Sequence, residues 1–157
     1  MTVALTNDMP LVSVVVPCYN RAHYLRPTLD SILAQDYPRI ECIVMDAGSK
    51  DGTVEVLRRY GDRIQWVSEP DKGQSDAINK GWAKSRGEII TWLNADDLWE
   101  VPDAVSRAVR HFQEHPDVDV MYGDCGKIDA QGNLIGMAYV HPWDLGHAVE
   151  HCDHCIA

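Results

Sequence analysis

The 157-residue chain has no long hydrophobic run and no excess of positive charge. Its longest apolar stretches, such as residues 11–16, are far too short to cross a bilayer. The first ten residues contain no basic segment followed by an apolar one, so no secretory signal is evident. The formal net charge of −10 argues against a nucleic acid or an anionic membrane surface as the main partner. We therefore expect a cytoplasmic domain, or the soluble part of a larger protein that lies at the inner face of the membrane.

The chain also lacks the means to form a disulfide framework, because it has five cysteines, an odd number, and no secretion signal. Three of them, Cys18, Cys42 and Cys125, stand in apolar or strand-like surroundings. We expect these three to be small buried thiols.

Three common ligand-binding motifs are absent. No Gly-x-Gly-x-x-Gly follows the first predicted strand, which removes the main support for a dinucleotide site. The phosphate loop Gly-x-x-x-x-Gly-Lys-Ser/Thr is missing, and so is the Gly-x-Ser-x-Gly nucleophile elbow. A nucleotide ligand would have to be bound in another way.

The apolar pattern predicts a doubly wound α/β fold. Short continuous apolar runs, typical of strands buried on both faces, alternate four times with segments of helical spacing. That alternation indicates a mostly parallel sheet with helices on both faces. Residues 1–10 are interpreted as an N-terminal extension and residues 11–157 as one domain. The predicted strands are 11–16, 41–45, 64–67 and 89–93, the predicted helices are 25–34, 53–60, 75–85 and 102–115, and a hairpin follows with strands 118–122 and 134–139.

Carboxylates follow several of the predicted strands, at the edge where open α/β sheets bind their ligands. Asp96 and Asp97 are adjacent and repel each other, so a divalent cation would stabilise them. Their alternative role is a solvated acidic turn that caps the next helix. Asp46 could accept a hydrogen bond from a nucleotide base, or it could form an Asx turn or cap the helix that begins near Thr53.

Four segments taken together resemble the glycosyltransferases of family 2. They are Val-Val-Val-Pro-Cys-Tyr-Asn-Arg (14–21), Met-Asp-Ala-Gly-Ser-Lys-Asp-Gly-Thr (45–53), Asp-Lys-Gly-Gln-Ser-Asp-Ala-Ile-Asn-Lys-Gly (71–81) and Gly-Glu-Ile-Ile-Thr-Trp-Leu-Asn-Ala-Asp-Asp (87–97). Each motif is weak alone, but the four occur in the family's order and spacing. The resemblance implies a GT-A fold, which is a Rossmann-like three-layer sandwich, and an inverting transfer of a sugar from a nucleoside diphosphate to an acceptor hydroxyl.

The resemblance also implies residue roles. Asp46 would accept the N3–H of a uracil, with Ser49 and Asp51 shaping the base pocket. Asp96 and Asp97 would hold Mg²⁺ or Mn²⁺ through the diphosphate. The residues implied to bind the nucleotide sugar are Pro17, Tyr19, Asn20, Arg21, Asp46, Ser49, Lys72, Gly73, Asp76, Asn94 and Asp96.

The sequence departs from the family pattern in three places. Ala47 stands where the family often has a second acid, and Asn94 replaces the first acid of the Asp-x-Asp motif. The family normally continues into an acceptor-binding region that supplies the general base. The chain is therefore expected to be truncated at its C-terminus, and no catalytic base is assigned among its late carboxylates Asp144, Glu150 and Asp153.

Three further possibilities stay open at this stage. The chain could bind the donor without transferring it to a saccharide or lipid-linked acceptor. It could instead be a non-enzymatic module that forms homo-oligomers through a truncated edge. Finally, the tail residues His147, His151, Cys152, His154 and Cys155 have spacings that would allow a structural zinc site.

Overall fold

The computed structural model describes residues 9–139, in which strands and helices alternate four times before a final pair of strands. The strands are β1 (Val12–Cys18), β2 (Ile40–Asp46), β3 (Gln65–Ser68), β4 (Ile89–Trp92), β5 (Cys125–Ile128) and β6 (Leu134–Ala138). The helices are α1 (Leu25–Leu33), α2 (Thr53–Arg58), α3 (Gln74–Lys84) and α4 (Ala104–Glu114), with a 3₁₀ turn at Gly61–Arg63. The predicted order of elements is confirmed, although α4 begins at Ala104 rather than at Pro102.

The first four strands form one parallel sheet in the order β3-β2-β1-β4. β1 pairs with β2 over its whole length, from Val12 opposite Ile40 to Cys18 opposite Asp46. On its other side β1 pairs in parallel with β4. Because all four strands point the same way, their carboxyl ends lie along one edge of the sheet. The predicted parallel α/β sheet is confirmed.

Helices cover both faces of this sheet, as the alternating side chains of β1 show. Val14 and Val16 face one side and pack in a cluster with α1, α2 and α4. Val15 faces the other side, where Ile43, Met45 and Ala77 join it beneath α3. Gly81 allows α3 to come this close, since a Cβ there would lie 2.4 Å from a Val15 methyl carbon. The three-layer arrangement follows from a central strand that is apolar on both faces.

At the amino end of the sheet, a buried carboxylate is held by a cation and by neutral donors. Glu41, only 8% exposed, accepts hydrogen bonds from the Ser13 hydroxyl at 2.6 Å and from Arg86 Nη2 at 2.8 Å. The Arg86 backbone N–H also donates to it, at 2.6 Å. Burial opposes ionisation, but these bonds and the Arg86 charge outweigh it, so the pKa of Glu41 lies below its ordinary value. The group links β1, β2 and the turn before β4.

β5 and β6 form a separate antiparallel ladder with Ile128 opposite Leu134. The prediction of a strand over residues 118–122 is wrong, because the strand before the turn is Cys125–Ile128. The turn is closed by Asp129, which accepts hydrogen bonds from the Asn133 backbone and side chain at 2.9 and 3.0 Å. Antiparallel pairing starts directly beside a tight turn, so the turn, and not the more apolar stretch upstream, determines which residues pair.

The prediction of buried thiols is confirmed for two of the three cysteines and wrong for the third. Cys18 and Cys42 are buried and free, and burial raises the pKa of each thiol to about 12. Cys125 is exposed, as is every residue of β5. A ladder of two strands buries little surface by itself, which explains the difference.

The chain divides between Asp119 and Val120 into two compact units, the first containing the parallel sheet and the second the β5–β6 ladder. The single domain over residues 11–157 stays a prediction. In the part of the chain that the structure describes, none of the helices has the length and apolar character needed to cross a membrane.

Candidate functional site at the carboxyl edge of the sheet

The residues predicted to bind a nucleotide sugar lie in the last residues of β1 and β2, in the loops after β1 to β4, or in the first turn of α3. Hydrogen bonds between loops fix their relative positions. Two such networks are present, one that joins the loops after β1, β2 and β3, and one that joins the loop after β4 to the start of α3 and to α1.

The first network centres on Asp46, the last residue of β2, which is 2% exposed. Its Oδ2 accepts the Ser49 backbone N–H at 3.0 Å and the Ser68 hydroxyl at 2.5 Å, and its Oδ1 accepts the Ser49 hydroxyl. The bond to the Ser49 N–H, three residues on, gives Asp46 a role of the Asx type in the turn after β2, in line with one of its alternatives. The other structural alternative, a cap for the helix near Thr53, is wrong, because Asp51 accepts the Thr53 N–H at 3.1 Å.

Asn20 connects the loop after β1 to the loop after β2. Its backbone N–H donates to Ser49 Oγ at 2.7 Å, and its side-chain oxygen accepts the Lys50 N–H at 3.0 Å. The residue adopts a left-handed conformation with φ of 51°, which asparagine tolerates better than most residues. Asn20 thus holds the loops after β1 and β2 in a fixed relative position.

Asp51 makes a second connection between the same two loops. One carboxylate oxygen accepts the Ala22 N–H at 3.0 Å, and the other accepts the Thr53 hydroxyl at 2.6 Å. The Thr53 hydroxyl oxygen in turn accepts the Arg21 N–H at 3.1 Å. The hydrogen bond from the Thr53 hydroxyl is the largest cause that lowers the pKa of Asp51, so this carboxylate is ionised at neutral pH.

Pro17 and Tyr19, both predicted to bind the nucleotide sugar, differ in exposure. Pro17 is buried inside β1 opposite Met45, whereas the Tyr19 side chain is exposed, with 58% of the residue accessible. Of the two, only Tyr19 presents a free face on which a base or ribose could stack.

The second network holds Asp97 through Asn94. The Asn94 amide nitrogen donates to Asp97 Oδ2 at 2.9 Å, and the Asn94 side-chain oxygen accepts from Gln74 Nε2 at 2.6 Å. An acid at position 94 could not donate the first of these bonds when ionised. The replacement of the family's first acid therefore gives the loop an internal support for Asp97. Gln74 was not predicted as a site residue. The sequence signal that could have identified it is its position beside Gly73 at the start of α3.

Asp96 and Asp97 have different surroundings although they are adjacent. Asp96 Oδ2 lies 3.1 Å from Arg21 Nε in a pair that is about half exposed. Burial raises the pKa of Asp97, the Asn94 hydrogen bond lowers it, and the Asp96 charge raises it, with a net rise. The alternative that this pair caps the next helix is wrong, since α4 begins only at Ala104.

The segment after the two aspartates is fastened to α1. The Trp99 N–H donates to Ser31 Oγ at 3.2 Å. Gln35 uses both ends of its amide, donating to the Val101 carbonyl at 2.9 Å and accepting the Val105 N–H at 3.1 Å. The position of the aspartate loop is thus determined from both sides, by Gln74 and by α1.

The loop between β3 and α3 carries Lys72 and Gly73, and Asp76 lies in the first turn of α3. Asp76 accepts the Lys72 N–H at 3.1 Å, and this bond is the largest cause that lowers its pKa. Lys80 Nζ lies 3.2 Å from Asp76 and 3.3 Å from the Pro70 carbonyl oxygen. Lys80 was not predicted, and it fastens this loop to α3. The positive charge of Lys72 also lowers the pKa of Asp76.

The aspartate pair fits a divalent ion that is shared with a diphosphate. Within residues 9–139, no group of three or more His, Cys, Asp or Glu side chains is close enough to hold a metal alone. Mg²⁺ sites commonly use one or two carboxylates and complete their shell with phosphate oxygens and water. Asp97, half-desolvated beside a second negative charge, would be stabilised by such an ion. The proposed zinc ligands of the tail and the late carboxylates lie outside the described residues.

A comparison with known families decides the affiliation of the chain. The family model described as Glycosyl transferase family 2 matches residues 13–145. The chain belongs to glycosyltransferase family 2. The recognition made from the four motifs is confirmed, and the match covers all of the loops described above.

Relatives and solved structures agree with this family. An uncharacterized glycosyltransferase of Rickettsia felis is 36% identical over 136 residues, which are 85% of this chain and 22% of that protein. A mannosyltransferase of Pyrobaculum calidifontis, solved with GDP-Man and Mn²⁺, is 33% identical with a TM-score of 0.63 and covers 73% of this chain and 34% of its own. TarS of S. aureus, solved with UDP-GlcNAc, is 25% identical with a TM-score of 0.61 over 67% of this chain and 32% of its own.

These structural neighbours confirm the GT-A fold. The chain spans between a fifth and two fifths of the length of the first relatives it matches, with 22% and 35% of two of them covered. The site described above therefore corresponds to one part of the proteins that carry these names.

Proposed function

We propose that this chain forms the donor site of a metal-dependent, inverting glycosyltransferase whose donor is a UDP-sugar. The observation that carries the proposal is that Asp46, at the end of β2, and Asp96 and Asp97, on the loop after β4, lie at the same edge of the parallel sheet. Hydrogen bonds from Ser49, Arg21 and Asn94, respectively, hold the three carboxylates. A nucleoside diphosphate requires a hydrogen-bond acceptor for its base and a separate site for its diphosphate, and both would lie on this edge.

The hydrogen bonds of Asp46 favour uracil as the base. A carboxylate offers about four lone-pair positions. Three are used, one by the Ser68 hydroxyl and two by the hydroxyl and N–H of Ser49. One acceptor position remains, which matches the single N3–H of uracil, whereas the corresponding edge of guanine presents two donor groups. Tyr19, exposed on the neighbouring loop, would stack on the base or ribose.

The diphosphate would lie near Asp96 and Asp97 with a bound Mg²⁺ or Mn²⁺. When bound, the ion neutralises the diphosphate and acts as a Lewis acid for its departure from the sugar. The chain's own residues hold and orient the ligands: Asn94 keeps Asp97 in place, and Gln74 holds Asn94. The acceptor hydroxyl and its general base would be supplied outside the residues that the structure describes, so we assign no catalytic base here.

Calorimetric titration of the chain with UDP and with GDP tests the proposal. We expect UDP to bind in the presence of Mn²⁺, to bind at least tenfold more weakly after chelation of the metal, and to bind more tightly than GDP. Asp97→Asn should reduce UDP affinity about a hundredfold when Mn²⁺ is present, the loss expected when a metal ligand is removed.

Asp103→Asn is the matched control, because it removes one negative charge from an exposed ion pair at the start of α4. Its UDP affinity should equal that of the unmodified chain. Equal losses in the two variants, or UDP affinity that is unaffected by chelation, would rule out a metal site at Asp97. Tighter binding of GDP would overturn the choice of uracil and leave the rest of the proposal in place.

Donor binding and sugar transfer should be measured separately. Hydrolysis of a UDP-sugar and transfer to saccharide or lipid-linked acceptors report on the complete reaction. Binding without transfer would support the interpretation of the chain as a donor-binding portion.

A further inference from the structure

Arg21 connects the nucleotide loop to the proposed metal site. Its Nε donates to Asp96 Oδ2 at 3.1 Å, and its Nη1 donates to the Asn20 carbonyl oxygen at 3.4 Å. The two residues of the ion pair are 75 positions apart in the chain, so the contact depends on the fold. Asp97, the other proposed ligand, has no basic partner within residues 9–139. Arg21 thus neutralises only one of the two carboxylates.

The backbone of Arg21 is hydrogen-bonded to the neighbouring loop, whereas its side chain is held only by exposed contacts. Its N–H is bound to Thr53 Oγ1, and the preceding N–H is bound to Ser49 Oγ. The Arg21 side chain, by contrast, is 45% exposed, and its ion pair with Asp96 is solvated. Such a pair contributes little free energy and is easily exchanged. The side chain can therefore leave Asp96 while the loop that carries it stays in place.

A guanidinium group and a divalent cation on Asp96 would place two positive charges on one carboxylate. If a metal binds Asp96, repulsion between these charges weakens the bond from Arg21 to Asp96 Oδ2 and favours release of the arginine side chain. A diphosphate on that metal would then offer the released guanidinium group a new anionic partner. A guanidinium group binds phosphate oxygens in a bidentate manner, for which its planar fork is well suited.

We propose that Arg21 is an exchangeable counterion: it occupies Asp96 in the free protein, is displaced by the divalent metal, and then binds the donor diphosphate. This inference rests on the proposed function and adds a coupling to it. Metal alone binds weakly because Arg21 competes for Asp96, whereas metal and nucleotide together satisfy both carboxylates and the arginine. The binding of either ligand then increases the affinity for the other by the same factor.

Two variants that remove the same charge test the proposal. Arg21→Gln removes the competing guanidinium group. Arg26→Gln is the matched control, because Arg26 forms an exposed pair with Asp30 on α1 at 3.4 Å and contacts none of the site residues. Binding of Mn²⁺ alone is measured from the electron paramagnetic resonance signal of the free ion, and binding of UDP and GDP by calorimetry at saturating Mn²⁺.

We expect opposite effects on the two ligands. Arg21→Gln should raise the affinity for Mn²⁺ alone by about twofold to fivefold, the range that an exposed ion pair allows. It should lower nucleotide affinity by about tenfold or more, since a charge-assisted hydrogen bond to phosphate is lost. Arg26→Gln should change neither.

The outcomes separate this inference from the proposed function. If the unmodified chain binds Mn²⁺ with nucleotide, but Arg21→Gln behaves like Arg26→Gln toward Mn²⁺ alone, the counterion role is wrong and the donor site stands. A fall of both affinities in Arg21→Gln would also overturn it, because that result describes a purely supporting residue. If the unmodified chain binds neither Mn²⁺ nor nucleotide, the proposed function and this inference fail together.

Discussion

Strand β2 carries a buried carboxylate near each end, and the two are held in different ways. Glu41 near the amino end is 8% exposed and is paired with the Arg86 guanidinium group at 2.8 Å. Asp46 at the carboxyl end is 2% exposed and, among the described residues, accepts from uncharged donors, namely the Ser49 N–H and the hydroxyls of Ser49 and Ser68. The Glu41 carboxylate is therefore neutralised by a positive charge, whereas the Asp46 carboxylate is bound by uncharged hydrogen-bond donors.

This difference indicates that the carboxylate at one end of β2 stabilises the fold, whereas the carboxylate at the other end can bind a ligand. A buried carboxylate with a cation and several donors has no capacity for a further partner, so Glu41 can only hold strands together. A buried carboxylate that is bound by three neutral donors keeps one acceptor position, and can therefore receive a hydrogen bond from a ligand. The comparison predicts that substitutions at the two ends have effects of opposite kind.

The largest effect is expected at the amino end, on stability. Glu41→Gln removes the charge that binds Arg86 and leaves poorly matched donors around a buried amide, so the free energy of unfolding should fall by about 2–4 kcal/mol. Urea unfolding followed by circular dichroism measures it. The affinity for UDP and Mn²⁺ should not change at temperatures where the variant is folded.

Glu114→Gln provides the control for Glu41→Gln, because Glu114 is exposed at the end of α4. It should leave the unfolding midpoint unchanged. A stability loss in Glu41→Gln no larger than in this control would show that the pair with Arg86 is not a stabilising contact.

The second effect is expected at the carboxyl end, on binding. Asp46→Asn keeps the size of the side chain, and the serine hydroxyls can reorient around it, so the free energy of unfolding should fall by no more than about 1 kcal/mol. UDP affinity should fall about tenfold, since an amide cannot accept the base N–H with the same strength. Calorimetry and urea unfolding of one preparation give both numbers. A large loss of stability with unchanged UDP affinity would show that Asp46 has the same structural role as Glu41. That result would contradict the proposed difference between the two ends of β2.

The smallest effect is a dependence on pH. Because the pKa of Glu41 is lowered in the folded state, its ionisation stabilises the protein above the ordinary pKa of 4.5, and this stabilisation is lost as pH falls through the lower folded value. The stability difference between the unmodified chain and Glu41→Gln should therefore be constant at neutral pH and shrink below about pH 4.5, by at most about 1.4 kcal/mol per pH unit. A difference that stays constant down to pH 3 would contradict the lowered pKa.

Much of the first unit could be predicted from the sequence because its signals are local. The run Val14-Val15-Val16 is apolar on consecutive positions, and only a strand covered on both faces requires that. The carboxylates after such strands could be placed on one edge by the rule for parallel sheets. The prediction of a strand over residues 118–122 is wrong because it follows apolar character, whereas the residues that pair are the ones next to the turn at Asp129.

Contacts between distant positions could not be predicted in the same way. Glu41 and Arg86 are 45 residues apart, and Arg21 and Asp96 are 75 apart, so their pairing follows from the register of the folded sheet. Gln74 lies in the segment 71–81, but nothing in that segment indicates that its side chain supports Asn94. Sequence patterns identify which groups lie along the edge, and the fold determines which of them are bound to each other.

The central claim is that a metal-bound nucleoside diphosphate lies at the carboxyl edge of the sheet. The most direct test is the loss of amide signals in nuclear magnetic resonance spectra when substoichiometric Mn²⁺ is added with UDP, since the ion broadens the signals nearest to it. We expect residues 20–21, 46–51 and 94–97 to lose intensity first, while the amides of Glu41, Arg86 and Gly87 at the other end keep theirs. Equal broadening at both ends, or broadening that begins at Glu41 and Arg86, would contradict the account.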